Sequence, residues 1–249
     1  MARGAPDVVV GVDVVSDVLC PWCFIGKRCL EQAAADLFAS DGVAAQVRWH
    51  PWELAPGLPP EGTPKLEMYR RRFRGDEARL DAMVAQVTAA GKPVGIAFTF
   101  AGTAGPTFDA HRLLWSLREQ PRLQGMVLEE LFAAYHERGE NLGDLGVLLA
   151  CAARAGLGDE ELGVAERALR SGEGADEVRA EAAAAFQRWD MLGGVPHFFV
   201  RASGAGGSAE GPGLAVPGAQ SAGALLRVFR RAVQLAQGAG REAAPASAL

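Results

Sequence analysis

Val8-Val9-Val10-Gly11-Val12-Asp13-Val14-Val15 runs through Ser16-Asp17-Val18-Leu19 into Cys20-Pro21-Trp22-Cys23-Phe24-Ile25-Gly26-Lys27. The valine run, bounded by Asp7 and Ser16, reads as a buried strand of a largely parallel sheet. From Pro21 the period changes. Phe24, Cys29, Leu30, Ala33, Ala34 and Leu37 approximate one helical face, and proline suits a first helical turn. Ser40-Asp41-Gly42 is a helix stop with glycine at its end. Val43 to Trp49 then alternates apolar and polar residues, the signature of a second strand. The product is a β-α-β unit with a right-handed crossover.

Cys20 and Cys23 fall where the first strand gives way to the helix. A helix N-terminus carries a partial positive charge and unpaired N–H groups, so a thiolate placed there is favoured and its pKa falls. The thiolate is the nucleophile of disulfide exchange. A cysteine three residues on lies one turn away, within reach of the first sulfur. The spacing therefore predicts a reversible dithiol/disulfide pair, with Cys20 the exposed attacker and Cys23 the more buried resolver. Zinc binding shares the C-x-x-C pattern but needs two further ligands. Cys29, Cys151 and His50 are the candidates, and none of them forms a second close pair in sequence.

Working outward, Pro56, Pro59, Pro60, Gly62 and Pro64 mark a loop. Residues 65–74, 77–90, 109–119, 123–138, 144–155, 159–171 and 175–191 then read as helices, broken by a short extended piece at 94–100. The last helix stops at Gly193-Gly194-Val195-Pro196. His197–Arg201 and Leu214–Val216 read as two short antiparallel strands joined by a Gly/Ser-rich loop over Ser203–Gly213. Ala222–Ala236 is an amphipathic helix with Leu225, Leu226, Phe229 and Val233 inward. The order is β-α-β, a helical block, then α-β-β-α. It divides into a discontinuous α/β domain over 7–62 and 175–237, a helical insertion over 63–174 and a flexible tail over 238–249.

Composition sets bounds on function. With 49% hydrophobic and 22% charged residues the chain is globular rather than disordered, and its net charge of −5 argues against nucleic acid as the main partner. Four cysteines in 249 residues are too few for a disulfide scaffold. The N-terminal run holds Asp13 and leads straight into Cys20, so it reads as a strand rather than a signal peptide. No stretch reaches the roughly 18 apolar residues that a membrane helix needs. A cytoplasmic location is the expectation that follows.

Several motifs, read together, carry a family resemblance. They are Ser16 to Lys27 as quoted above, Trp49-His50-Pro51-Trp52-Glu53-Leu54, Pro59-Pro60-Glu61-Gly62, Phe108-Asp109-Ala110-His111-Arg112-Leu113, Gly194-Val195-Pro196 and Val216-Pro217-Gly218-Ala219-Gln220. Spread over nearly the whole chain, they resemble the DsbA-like thioredoxin-fold oxidoreductases, and within them the FrnE-like branch. The resemblance implies an α/β thioredoxin-like fold with a mixed sheet and a large all-helical insertion forming a lid over the cleft. It implies disulfide exchange at Cys20 and Cys23 with protein or small-molecule thiols, no metal or organic cofactor, and glutathione as one possible redox partner. Thioredoxin-like folds place a cis proline opposite the redox pair, a place that Val195-Pro196 is expected to fill. There the backbone of Val195 would pair with a substrate strand. Two departures stand out: the Ser203–Gly213 loop is longer than the family's hairpin turn, and His197 stands where an aromatic residue is more usual.

Other residues are read more plainly. Pro21 and Trp22, between the cysteines, are expected on the substrate-facing surface. His111 is a candidate for lining the cleft above Cys20, with a capping or structural role as the alternative. Cys29 and Cys151 read as small buried hydrophobes, His197 as a packing residue, Lys27 and the run Arg70-Arg71-Arg72-Phe73-Arg74 as solvated charges. His50 and His136 show no partner in sequence. Two other function classes stay open. One is a glutathione-dependent isomerase or transferase of the kappa-class or hydroxychromene-carboxylate isomerase type, which the retained cysteine pair counts against. The other is a non-catalytic binding protein or holdase.

Overall fold

The computed structural model describes residues 8–189, 194–204 and 213–242. Strand β1 (Val8–Ser16) leads into helix α1 (Pro21–Asp41) and strand β2 (Ala44–Pro51). Gly42, at φ 71°, ends α1 in the left-handed conformation, its N–H donating back to the Phe38 carbonyl at 3.1 Å. The block that follows holds β3 (Thr63–Pro64), α2 (Lys65–Arg72), α3 (Glu77–Gly91), β4 (Thr103–Ala104), α4 (Phe108–Ser116), α5 (Pro121–His136), α6 (Leu145–Arg154), α7 (Asp159–Ser171) and α8 (Ala175–Trp189). The chain closes with β5 (His197–Gly204), β6 (Leu214–Pro217) and α9 (Ala222–Glu242).

The main sheet has the order β2-β1-β5-β6. β1 pairs parallel with β2 (Val14 opposite Trp49) and antiparallel with β5 (Val14 opposite Phe198), and β5 pairs antiparallel with β6. The sheet is therefore mixed, not largely parallel, because only the β1-α1-β2 unit makes a crossover. Val10, Val12 and Val14 of β1 and Phe198 and Val200 of β5 bury one face with Leu30 and Leu37 of α1 and Leu225 and Phe229 of α9. The opposite face, Val15 and Phe199, is covered by Ala185 of α8 and by Trp52.

α1 departs from a helix with one wet face. Cys23, Phe24, Ile25, Gly26 and Lys27 are consecutive and all buried. The sheet and α9 cover one side of the helix and the insertion covers the other. Phe24 stacks on Phe132 of α5 at 5.0 Å between ring centroids and meets Phe98 edge-on at 6.3 Å. This corrects the reading of Lys27 as a solvated charge. It is 2% exposed, and its ammonium sits 2.6 Å from Glu31 and 2.7 Å from Glu129 of α5. A buried lysine needs such partners because an unpaired charge there would be strongly disfavoured.

Gly26 marks the tightest approach on the other side. A Cβ there would lie 3.1 Å from the Phe198 ring and 3.3 Å from Pro196 Cγ. Gly26→Val is expected to lower stability by about 1–3 kcal/mol through overpacking, although glycine is itself a poor helix former. Thermal unfolding measures this, and a valine variant as stable as the parent would refute the contact.

Three smaller expectations change. Residues 94–100 form no strand. Lys92–Val94 is a short 3-10 turn, and Phe98 is drawn into the aromatic group around Phe24 while Thr99 N–H donates to the His136 carbonyl at 2.7 Å. A two-residue pairing of β3 with β4 was not anticipated. α9 runs past its expected end at Ala236 to Glu242, taking in the first residues of the stretch read as a tail. Of the Gly/Ser-rich loop, residues 205–212 lie outside the described residues, as does the tail from 243.

Candidate active site

Cys20 is the N-cap of α1, with extended backbone (φ −84°, ψ 114°) and Pro21 in the first turn. Its carbonyl accepts the first helical hydrogen bonds, from the N–H groups of Cys23 at 3.0 Å and Phe24 at 3.3 Å, while its own N–H donates to the Asp17 carbonyl at 3.0 Å. The strand-loop-helix junction therefore fixes Cys20 from both sides. The Val195-Pro196 bond is cis, and the Cys20 thiol lies 3.5 Å from the Val195 carbonyl. The Pro196 carbonyl accepts from Gly218 N–H at 2.9 Å, which ties this loop to the end of β6.

Both cysteines are buried, Cys20 5% and Cys23 1% exposed. The expected order holds, but Cys20 is not the exposed thiol that its place at a helix start suggested; its sulfur packs against the Val195 carbonyl. Burial, followed by the hydrogen bond and charge of Cys20, pushes the Cys23 thiol well above its ordinary pKa. The Ser16 hydroxyl and the Asp17 N–H oppose that rise.

The approach to Cys20 is clamped by Asp17, His136 and His111. Asp17 is fully buried, and its carboxylate accepts from the N–H groups of Leu19 at 3.3 Å and Leu54 at 2.6 Å. His136 of α5 lies 3.0 Å from the Val18 carbonyl, and burial together with Lys65 holds its pKa far below the ordinary value, so the neutral ring donates to that carbonyl. His111 of α4 lies 2.8 Å from the Trp52 carbonyl and 3.5 Å from Asp17. At 5% exposure it does not line the cleft as expected. It is a buried brace between α4, the loop after β2 and the loop before Cys20. Lys65, also buried, donates to the Tyr135 carbonyl, and burial lowers its pKa to about 8.

Trp22 is half-buried and forms, with Ile25, Cys29, Val94 and Gln220, part of the wall of a groove of about 870 Å³ that neither Cys20 nor Cys23 lines. A larger hollow of about 1080 Å³ lies between α1, β2 and α5 and contains neither Cys20 nor Cys23. The proposed zinc ligands are dispersed. Cys29 faces the N–H of Ala222, Cys151 contacts the Glu130 carbonyl at 3.6 Å, and His50 is engaged elsewhere. Among the described residues no group of three or more His, Cys, Asp or Glu side chains is arranged to hold a metal ion. His197 stacks on Phe199 with 4.6 Å between centroids, as a packing residue would, yet neither ring nitrogen has a hydrogen-bond partner among the described residues.

His50, without a visible partner in the sequence, bridges two carboxylates: Nε2 is 2.9 Å from Asp13 and Nδ1 is 2.8 Å from Glu181 of α8. Burial disfavours the charged ring, but the hydrogen bonds and charges of Asp13 and Glu181 outweigh it and raise the pKa above 6.5. Burial also opposes charge on Asp13, yet His50, Arg201 and Arg48 together hold its carboxyl below 3.8. A raised His50 stabilises the fold fully below pH 6.5 and loses that contribution as pH climbs through the raised value. Asp13 contributes above pH 3.8 and loses its part as pH falls through the lowered value. Thermal stability is therefore expected to fall as pH rises above 6.5 through the raised His50 value, and His50→Gln to flatten that fall. A glutamine variant with the parent's alkaline slope would refute the assignment.

A four-stranded mixed sheet, paired cysteines at the start of its first helix and a cis proline beside them define a thioredoxin-like protein with a helical insertion. The chain belongs to the DSBA-like thioredoxin domain family, which residues 11–230 match. It is similar to the crystal structure of a probable DsbA oxidoreductase from Streptomyces coelicolor, with 28% identity and a TM-score of 0.73 over 96% of this chain and 94% of that one. It shares its fold with a 2-hydroxychromene-2-carboxylate isomerase at 14% identity, with a TM-score of 0.59 over 94% of this chain and all of that one. It also shares it with the cytosolic disulfide reductase DsbM of Pseudomonas aeruginosa at 18% identity, with a TM-score of 0.53 over 94% of this chain and 100% of that one. Among the described residues no helix is long and apolar enough to cross a membrane.

Proposed function

We propose that this chain is a thiol–disulfide oxidoreductase in which Cys20 attacks and Cys23 resolves. The observation that carries the reading is the contact of the two cysteines at the N-terminus of α1, with the Cys20 sulfur 3.5 Å from the Val195 carbonyl. In the reducing direction the Cys20 thiolate attacks one sulfur of a substrate disulfide and expels the other as a thiolate. Cys23, deprotonated, then attacks Cys20, the Cys20–substrate bond breaks, and the second substrate sulfur leaves. Two electrons pass from the pair to the substrate, and the two protons end on its thiols. In the oxidising direction every step reverses.

Val195 and Pro196 would align an extended substrate, and Pro21 and Trp22 would face it from the helix side. His111 acts behind them, holding the Asp17 loop rather than touching substrate. The substrate class is a protein or small-molecule thiol or disulfide, in a cytoplasmic setting. The Pseudomonas reductase has also been solved with GSH, which supports glutathione as the small thiol that recycles the pair.

The test is a redox titration against glutathione buffers, read by mass after alkylation, with Cys20→Ser as control. A Cys20–Cys23 disulfide that forms and breaks reversibly supports the reading, and its midpoint assigns the direction. A stable glutathione adduct on Cys20 would instead favour a glutathione-using isomerase or transferase. If neither thiol titrates, a binding protein on a redox fold is the better account.

A further inference from the structure

The resolving cysteine presents a physical difficulty. Cys23 is 1% exposed, so no water solvates the thiolate that must form before it can attack Cys20. A buried anion needs donors aimed at it. One is the main-chain N–H of Asp17, fixed by the turn before α1. The other candidate is the last residue of β1.

Ser16 is 4% exposed, and its hydroxyl oxygen is buried with no hydrogen-bond partner among the described residues. Buried hydroxyls are nearly always paired, so an orphan asks for an explanation. Its carbonyl accepts from Trp52 N–H at 3.1 Å, which holds the residue in place opposite Pro51 at the end of the sheet. Ser16 shares the face of β1 with Val12 and Val14, the face on which Cys23 is packed. Its hydroxyl is among the groups that favour the Cys23 anion against burial. A thiol is a weak acceptor, whereas a thiolate is a strong one. The hydroxyl is thus a donor held in place for a charge that exists only while Cys23 reacts.

We propose that Ser16 is a catalytic residue of the resolving step, its hydroxyl donating to the Cys23 thiolate as that sulfur attacks Cys20. The inference rests on the dithiol reading above. The bond that forms is Cys20–Cys23 and the bond that breaks is Cys20–substrate. The proton lost by Cys23 ends on the departing substrate thiol, so Ser16 keeps its own proton throughout. In the reverse direction the same hydroxyl stabilises Cys23 as the leaving group.

The experiment mixes the reduced protein with dithio-bis-nitrobenzoate and follows release of the coloured thiol. The first equivalent reports attack by Cys20 and the second reports resolution by Cys23. Ser16→Ala is expected to leave the first release unchanged and to slow the second by about tenfold or more, the worth of a hydrogen bond to a charged group. Ser16→Thr, which keeps the hydroxyl and suits a strand, is expected to restore the second release. An alanine variant with unchanged second release, equal slowing of both releases, or a threonine variant as slow as alanine would each overturn the proposal. Should the alanine variant fail to fold, Ser16→Gly carries the same expectation. Cys23→Ser separates the two readings. If it still releases the second equivalent, the dithiol mechanism itself fails, whatever Ser16 does.

Discussion

Cys20→Ser is expected to lose disulfide exchange by about a thousandfold or more, while Cys23→Ser keeps the first attack and stops at a mixed disulfide. The asymmetry follows from position. Cys20 caps α1, with its sulfur beside the Val195 carbonyl. A serine there has the same geometry but no accessible alkoxide at neutral pH, so no alternative nucleophile replaces it. Cys23 lies one turn along and deeper, where burial keeps its thiol protonated until Cys20 has already reacted. Removing it leaves Cys20 free to attack but with nothing to displace the substrate. Intact-protein mass after exposure to a small disulfide decides the matter. The Cys23→Ser protein should carry one adduct on Cys20 and the parent none, because the parent closes its own disulfide. An adduct on Cys29 or Cys151 in the Cys20→Ser protein, formed at the parent's rate, would move the nucleophile elsewhere. Neither position favours that outcome, since burial raises the pKa of both thiols.

Much of this arrangement was legible in the residue pattern, and the parts that were not share one cause. Local period and stop signals placed β1, α1 and β2 and the helices from Lys65 to Trp189, because such signals are written within each segment. The Cys20–Cys23 spacing and Val195-Pro196 were readable as a joint signal for the same reason: each is a short covalent pattern. The failures all lie between elements. Lys27 looked solvated because a helix is assumed to have one wet face, and only the arrival of α5, with Glu129, buries and pairs it. His50 lacked a sequence partner because Asp13 and Glu181 stand on β1 and α8, the latter 131 positions away. His111 reads from its motif either as a cleft residue or as a structural one, and only the fold decides, turning it inward to the Trp52 carbonyl and Asp17. Residues 94–100 read only as a short extended piece between helices, and nothing in them shows that Phe98 joins the aromatic group around Phe24. Such pairings depend on where the insertion docks, which no local period encodes.

That docking can be tested at its densest point. Phe24→Ala is expected to lower stability by about 3–5 kcal/mol, the cost of removing a fully buried aromatic ring and leaving a cavity. For a chain of this size, that corresponds to a fall of roughly 6–20 °C in the unfolding midpoint. Phe24 is 0% exposed and belongs to the same turn as Cys23. Its ring stacks on Phe132, meets Phe98 edge-on, lies 5.9 Å from the His136 ring and carries the Arg28 guanidinium 5.2 Å above its face. These contacts join the first helix of the thioredoxin-like part to the insertion, and His136 in turn holds the Val18 carbonyl in the loop before Cys20. The loss should therefore be felt twice, as a lower midpoint and as faster alkylation of Cys20 in the folded protein, because α5 no longer grips the loop that shields it. Phe24→Leu, which keeps most of the volume but not the stacking, should cost much less and leave alkylation close to the parent's rate. A Phe24→Ala protein that unfolds within about 1 kcal/mol of the parent would mean that the ring is not what couples the two parts. One that is destabilised as expected but alkylated no faster would place the shield over Cys20 in the Val195 loop alone.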